Sequence, residues 1–134
     1  MANEAVIIEL FNGGRPIRYE CADGATIEKG ALAVITDPRT VVTHAVVDTP
    51  IAGVVAQEKV INDDTTTVSV YTDGIFDMTA AAGGVTAVGA RCAGSGTANM
   101  ITVADAADLI QSSDVGMCLE AHANNEVAAV RINK

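Results

Sequence analysis

The chain predicts an all-β domain: a small β-barrel or β-sandwich of the β-tulip or jelly-roll kind, built from two similar halves with at most one short helix. Three observations predict it. Short runs rich in Val, Ile and Thr are broken by Gly, Asp, Asn and Pro at intervals of about ten residues, the rhythm of strands and tight turns. No strong helical period competes. The chain also repeats itself. Thr26-Ile27-Glu28-Lys29-Gly30-Ala31, Ile51-Ala52-Gly53-Val54-Val55-Ala56 and Val68-Ser69-Val70 are echoed by Val85-Thr86-Ala87-Val88-Gly89-Ala90, Val115-Gly116-Met117-Cys118-Leu119-Glu120 and Val130-Arg131-Ile132. The copies lie roughly 60 residues apart, longer than most solenoid or propeller periods, so they read as a duplicated half-barrel inside one domain.

The elements follow in order. Residues 5–11 are an apolar run ending at Asn12-Gly13-Gly14, and 16–22 alternate Ile17, Tyr19 and Cys21 against Arg18 and Glu20. Asn-Gly-Gly between two such runs predicts a hairpin. Residues 31–36, stopped by Asp37-Pro38-Arg39, and 41–47, stopped by Asp48-Thr49-Pro50, are nearly continuous apolar runs of the kind buried on both faces. Residues 51–56 and 66–71 flank the polar loop Asn62-Asp63-Asp64-Thr65. Asp73-Gly74 is expected to turn the chain into Ile75-Phe76-Asp77-Met78, and the small-residue stretch 80–84 to join the two copies. Residues 98–103, 115–121 and 126–133 read as strands, and 104–111 as a helical turn. The expected organisation is one β domain over 1–134, with an N-terminal arm and strands in 1–21, a first half in 22–79 and a second half in 84–134.

Composition narrows the function classes. At 134 residues the length suits one domain. Aromatics are only 3% and alanine supplies much of the apolar content, so each buried side chain removes little area from water. Burial against other subunits is therefore expected to supplement the core. Seventeen acids against eight bases give a net charge of −9, the wrong sign for tracking phosphates, so no nucleic-acid partner is expected. No apolar run approaches the ~18 residues of a membrane span and the first residues lack a secretion pattern, so synthesis in the cytoplasm and no membrane partner are expected. Cys21, Cys92 and Cys118 are odd in number, far apart and without CxxC spacing, and read as reduced, buried thiols.

No reaction chemistry is visible. His44 lies in an apolar run and His122 follows a strand, neither with partners at triad or metal-site spacing. Asp63-Asp64 and Asp73/Asp77 do not match an EF-hand loop. Gly83-Gly84 and Gly94-Ser95-Gly96 lack the lysine of a phosphate loop. Catalytic residues, metal ligands and cofactors are accordingly expected to be none. Gly30, Gly53, Gly74, Gly89 and Gly116 read as structural turn glycines, at positions of positive φ or close strand approach.

The ordered segments Ile27-Glu28-Lys29-Gly30-Ala31, Pro50-Ile51-Ala52-Gly53-Val54-Val55, Val70-Tyr71-Thr72-Asp73-Gly74-Ile75-Phe76-Asp77, Val88-Gly89-Ala90, Val115-Gly116-Met117-Cys118-Leu119-Glu120-Ala121 and Val130-Arg131-Ile132 together resemble the capsid decoration, or cement, proteins of tailed bacteriophages. The likeness spans about residues 22–132. Two positions depart from it: Ala31 stands where that family often has an acid, and Arg91-Cys92-Ala93 where an aromatic-containing strand is common. The resemblance implies a structural virion protein on the outer surface of an icosahedral head. Its implied partners are the major capsid protein, whose contacts it stabilises, and further copies of itself in a homotrimer. Ala2, Asn3, Glu4, Arg15, Arg18 and Arg39 are the candidate capsid-interface residues: residues 2–10 as an arm adding a strand to a neighbour's sheet, the arginines as partners for acids on the shell. The competing class is a carbohydrate- or host-surface-binding β-sandwich, for which Phe11, Tyr19, Tyr71 and Phe76 are the available aromatic platforms. A barrel-type enzyme is the third.

Overall fold

Strand pairing sorts the chain into two closed rings of five strands. The computed structural model describes residues 3–10, 15–81, 84 and 87–134. Strand β1 (Val6–Glu9) is followed by β2 (Ile17–Glu20), β3 (Leu32–Asp37), β4 (Thr40–Thr43), β5 (Ile51–Val55) and β6 (Thr67–Tyr71). Then come β7 (Asp73–Ala80), β8 (Arg91–Gly94), β9 (Met100–Val103), the helix α1 (Ala106–Gln111), β10 (Asp114–Cys118) and β11 (Val127–Asn133). The first ring closes in the order β2-β4-β3-β5-β6. The second runs β7-β11-β10-β8-β9 and is closed by pairing of β7 with β9. The two orders match strand for strand. Each ring has one parallel pair, β2 with β4 and β7 with β9, at the equivalent place.

The duplication reaches individual backbone hydrogen bonds. Gly30 N–H donates to Val55 O, and Gly89 N–H donates to Cys118 O, both at 2.8 Å. Val55 N–H donates to Ala31 O and Cys118 N–H to Ala90 O, again both at 2.8 Å. Gly53 and Gly116 occupy the same place in β5 and β10. A Cβ on Gly53 would stand 2.0 Å from Tyr71 O, and one on Gly116 2.0 Å from Arg131 O. Only glycine lets the neighbouring strand come this close.

Two cores result. Cys21, Ile27, Ala31, Ala33, Val41, Ala52, Val55, Val68 and Val70 fill the first ring. Leu32, Val34, Ile51 and Val54 leave that ring on its other face and pack with Phe76, Met78, Ile101, Val115, Val130 and Ile132 of the second. This is why β5 is buried at all five positions, and why β3 begins with three buried residues. In β6, β7 and β11 inward and outward positions alternate instead. The rings are also bolted together by polar groups: Leu32 N–H donates to Asn99 Oδ1 at 3.0 Å, and Asn99 N–H donates to His44 Nδ1 at 3.1 Å.

Several expectations need correction. β1 and β2 do not form a hairpin, because β1 pairs with β7 in one sheet and β2 with β6 in the other. Asn12-Gly13-Gly14 itself lies outside the described residues. The run 41–47 is not one buried strand: β4 ends at Thr43, and Val46 and Val47 are exposed in the connection to β5. Asp73-Gly74 is not a turn but the start of β7, where Gly74 makes room for β1: a Cβ there would stand 2.8 Å from Glu9 O. Of the five expected turn glycines only Gly30 and Gly89 lie in turns, while Gly53, Gly74 and Gly116 lie inside strands. Residues 87–90 form the turn into β8. The change from one ring to the other falls at Thr72, not at 80–84. β8, absent from the expected strand list, forms over Arg91–Gly94. The helical turn expected over 104–111 is α1, capped at its N-terminus by Asp105 and Asp108 in a reciprocal capping box.

Candidate functional site

Among the described residues, no three His, Cys, Asp or Glu side chains converge as a metal site would require. The informative positions are instead surface features and a few buried polar groups. The predicted interface residues fall into two sets. Arg18 on β2 and Arg39 in the β3–β4 turn meet on the first ring: Arg39 Nη2 donates to Arg18 O at 3.0 Å, and Arg18 Nη1 donates to Thr67 Oγ1 at 2.8 Å. Both side chains are exposed, as is Arg15. Asn3 and Glu4 are half-buried at the other set's location, just before β1. There Glu4, Ala5, Val6 and Ile7 line one wall of a groove of about 480 Å³, opposite Lys29, Gly30, Val54 and Val55. Ala2 lies outside the described residues.

β1 is held within its own chain. It pairs with β7, Ala5 N–H donates to Gly30 O at 2.6 Å, and Ala5, Ile7 and Leu10 pack on the shared core. Its other edge has no strand beside it among the described residues. Val6 and Ile8 point outward, 61% and 50% exposed. Strand alternation accounts for this: with Ile7 turned in, its two neighbours must turn out. Two further exposed aliphatic pairs occupy equivalent connections of the two rings, Val46 with Val47 between β4 and β5, and Leu109 with Ile110 between β9 and β10.

Lys59, one of the eight bases, was not among the residues singled out from the sequence. Its side chain is buried, with Nζ donating to Asp23 O at 2.8 Å, Val60 O at 3.2 Å and Asp63 Oδ1 at 3.2 Å. The Thr65 N–H, together with Lys59 and the Val60 N–H, holds the Asp63 carboxyl below the usual carboxylate range. The second ring repeats this loop with different chemistry. His122 takes the place of Lys59, Glu126 accepts from Ala123 N–H as Asp63 accepts from Val60 N–H, and Asn125 and Asn62 both adopt positive φ. The signal available in sequence was this second level of the repeat, Lys59-Val60-Ile61-Asn62-Asp63 against His122-Ala123-Asn124-Asn125-Glu126.

Asp114 at the start of β10 pairs with Arg91, and with Lys134 Nζ at 3.4 Å. Burial pushes its carboxyl up, but the bonds and charges of Arg91 and Lys134 outweigh that and hold it below its ordinary value. These pairs bind the ends of β8, β10 and the C-terminus together.

The comparison with known families bears on the same surfaces. Residues 11–133 match the phage cement protein family. The chain belongs to that family. No curated protein matches it in sequence. Membership makes this a phage structural protein associated with the capsid, and the all-β architecture of two similar halves is the fold that the internal repeat predicted. The surfaces described above expose aliphatic side chains and arginines.

Proposed function

We propose that this cement-family chain decorates the outer surface of an icosahedral phage head as a homotrimer, bridging neighbouring major-capsid-protein subunits, after synthesis in the host cytoplasm. It acts by contact area, without catalysis. The observation that carries this reading is the open edge of β1 with Val6 and Ile8 exposed beside it, in a chain of a phage cement family. An unpaired strand edge is a docking site for an extended segment of another chain, the main-chain bonds giving affinity and the alternate side chains specificity. Because the predicted arm is already a strand of its own sheet, the neighbour's segment adds to β1 rather than the reverse. Arg15, Arg18 and Arg39 form a second contact, with acids of the shell. Binding the assembled lattice and not the loose subunits stabilises the shell by mass action.

The test is co-sedimentation of the purified chain with expanded and unexpanded heads, with light scattering for its oligomeric state. Retention on expanded heads, loss of retention in Val6→Asp/Ile8→Asp with an unchanged circular dichroism spectrum, and a trimeric mass support the reading. Full retention by that variant overturns the β1 edge as the contact. No retention of the parent chain overturns the decoration role.

A further inference from the structure

The second ring carries a pair of thiols where the first ring shows what plain packing needs. In the first ring Ala33 of β3 stands opposite Gly53 of β5, with Val55 two residues further along the same strand. In the second, Cys92 of β8 stands opposite Gly116 of β10, with Cys118 two residues further along. Ala33 and Val55 are fully buried, so a small and a medium apolar side chain satisfy this position in the fold. Both equivalents in the second ring are cysteine, both fully buried in the shared core.

The two thiols also face one another. Residues two apart on a strand share a face, so Cys118 lies on the side of β10 that meets Cys92. Gly116, the residue opposite Cys92, has no side chain to stand between them. Cys92 Sγ lies 3.5 Å from Gly116 O, directed at β10. A hydrogen bond between the thiols raises the titration of Cys92, with burial adding to the rise, and lowers that of Cys118.

The geometry points to Cys92 and Cys118 as a redox modification site, a latent cross-strand disulfide that staples β8 to β10 when the protein meets a two-electron thiol oxidant. Two S–H bonds break and one S–S bond forms, and the two electrons and two protons pass to the oxidant; with diamide, the diazene is reduced to its hydrazine. Cys21, buried in the other core, takes no part. The bond would form on passing from the reducing cytoplasm to an oxidising exterior.

The experiment treats the folded full-length chain with diamide, quenches it with iodoacetamide under denaturing conditions, and maps peptides by mass. No Lys or Arg lies between Arg91 and Arg131, so trypsin releases both thiols on one peptide and Cys21 on another. The expected result is a 92–131 peptide two hydrogens lighter and unalkylated, split before Asp114 into halves joined only by the sulfurs and separated by reductant. Cys92→Ala and Cys118→Ala each abolish the change, and Cys21→Ala keeps it. Alkylation of both thiols in the treated native chain overturns the proposal, as does a bond to Cys21 or to a second molecule, or oxidation to sulfinic acid. Because the parent chain's peptide map decides the matter, poor folding of either variant does not remove the test.

Discussion

Replacing Gly116 by alanine tests the close approach on which the second ring depends, with Gly53 and Gly24 as internal references. The added Cβ of Gly116→Ala stands 2.0 Å from Arg131 O and 2.8 Å from Arg131 C, both backbone atoms of the hydrogen-bonded neighbour β11. Real contacts of this kind do not fall below 3.0 Å, so β10 and β11 must part by about 1 Å. Overpacking a core costs roughly 1–3 kcal/mol even where side chains can give way. Here a backbone must move, and a strand-pair hydrogen bond worth about 1 kcal/mol weakens with it. The expected loss is about 3–4 kcal/mol, a large part of the roughly 5–15 kcal/mol that holds a domain together. Gly53→Ala meets the same 2.0 Å clash at Tyr71 O and in addition has φ +153°, so it loses about 1–2 kcal/mol more. Gly24→Ala has nothing within 4 Å and is expected to stay within about 0.5 kcal/mol of the parent. Urea unfolding followed by circular dichroism measures all three. A Gly116→Ala midpoint indistinguishable from that of Gly24→Ala would refute the close approach, and with it the equivalence of the two rings.

Three further outcomes are expected. Burial holds the His44 imidazole below its ordinary value of 6.5, so the unfolded chain takes up its proton first. That contribution to stability is complete above about pH 6.5 and is lost as pH falls toward the depressed folded value, at no more than about 1.4 kcal/mol per pH unit; His44→Gln should flatten this part of a pH series of urea midpoints. Lys59→Ala removes a buried side chain and its ion pairs with Asp63 and Asp23 and should cost about 2–5 kcal/mol, whereas Lys59→Met keeps the volume and should cost less; equal losses in thermal unfolding would assign the lysine's role to its charge and hydrogen bonds and not to packing. Phe76→Ala, at a fully buried position of the shared core, should cost about 3–5 kcal/mol in the same assay, and a loss under 1 kcal/mol would place Phe76 outside the core.

Much of the fold was legible because strands announce themselves locally. The alternation in 67–71 and 127–133 and the polar break at Asp37-Pro38 each place a strand end correctly to within a few residues, and Pro50 falls just before β5 begins. The errors share a cause. Asn12-Gly13-Gly14 and Asp73-Gly74 have turn chemistry, but which strands a segment pairs with depends on residues far away in the chain. Gly74 is glycine because β1, from more than sixty positions earlier, crosses it. The run 41–47 is mostly apolar, yet Val46 and Val47 face solvent, since composition does not say where pairing stops. On the candidate surface, Arg18 and Arg39 were named for their charge alone; only the parallel contact of β2 with β4 brings them together.

The sequence by itself determined the all-β class, the internal repeat and membership of a phage cement family, because these rest on local periodicity and on the order of short motifs. Tertiary structure alone decided that the repeat closes into two rings, that β3 and β5 serve two cores at once, that Lys59 is buried among acceptors, and that Cys92 and Cys118 face each other across Gly116. The physical reason is that ring closure, burial and cross-strand register are set by contacts between residues distant in the chain, and no window along the sequence contains both partners.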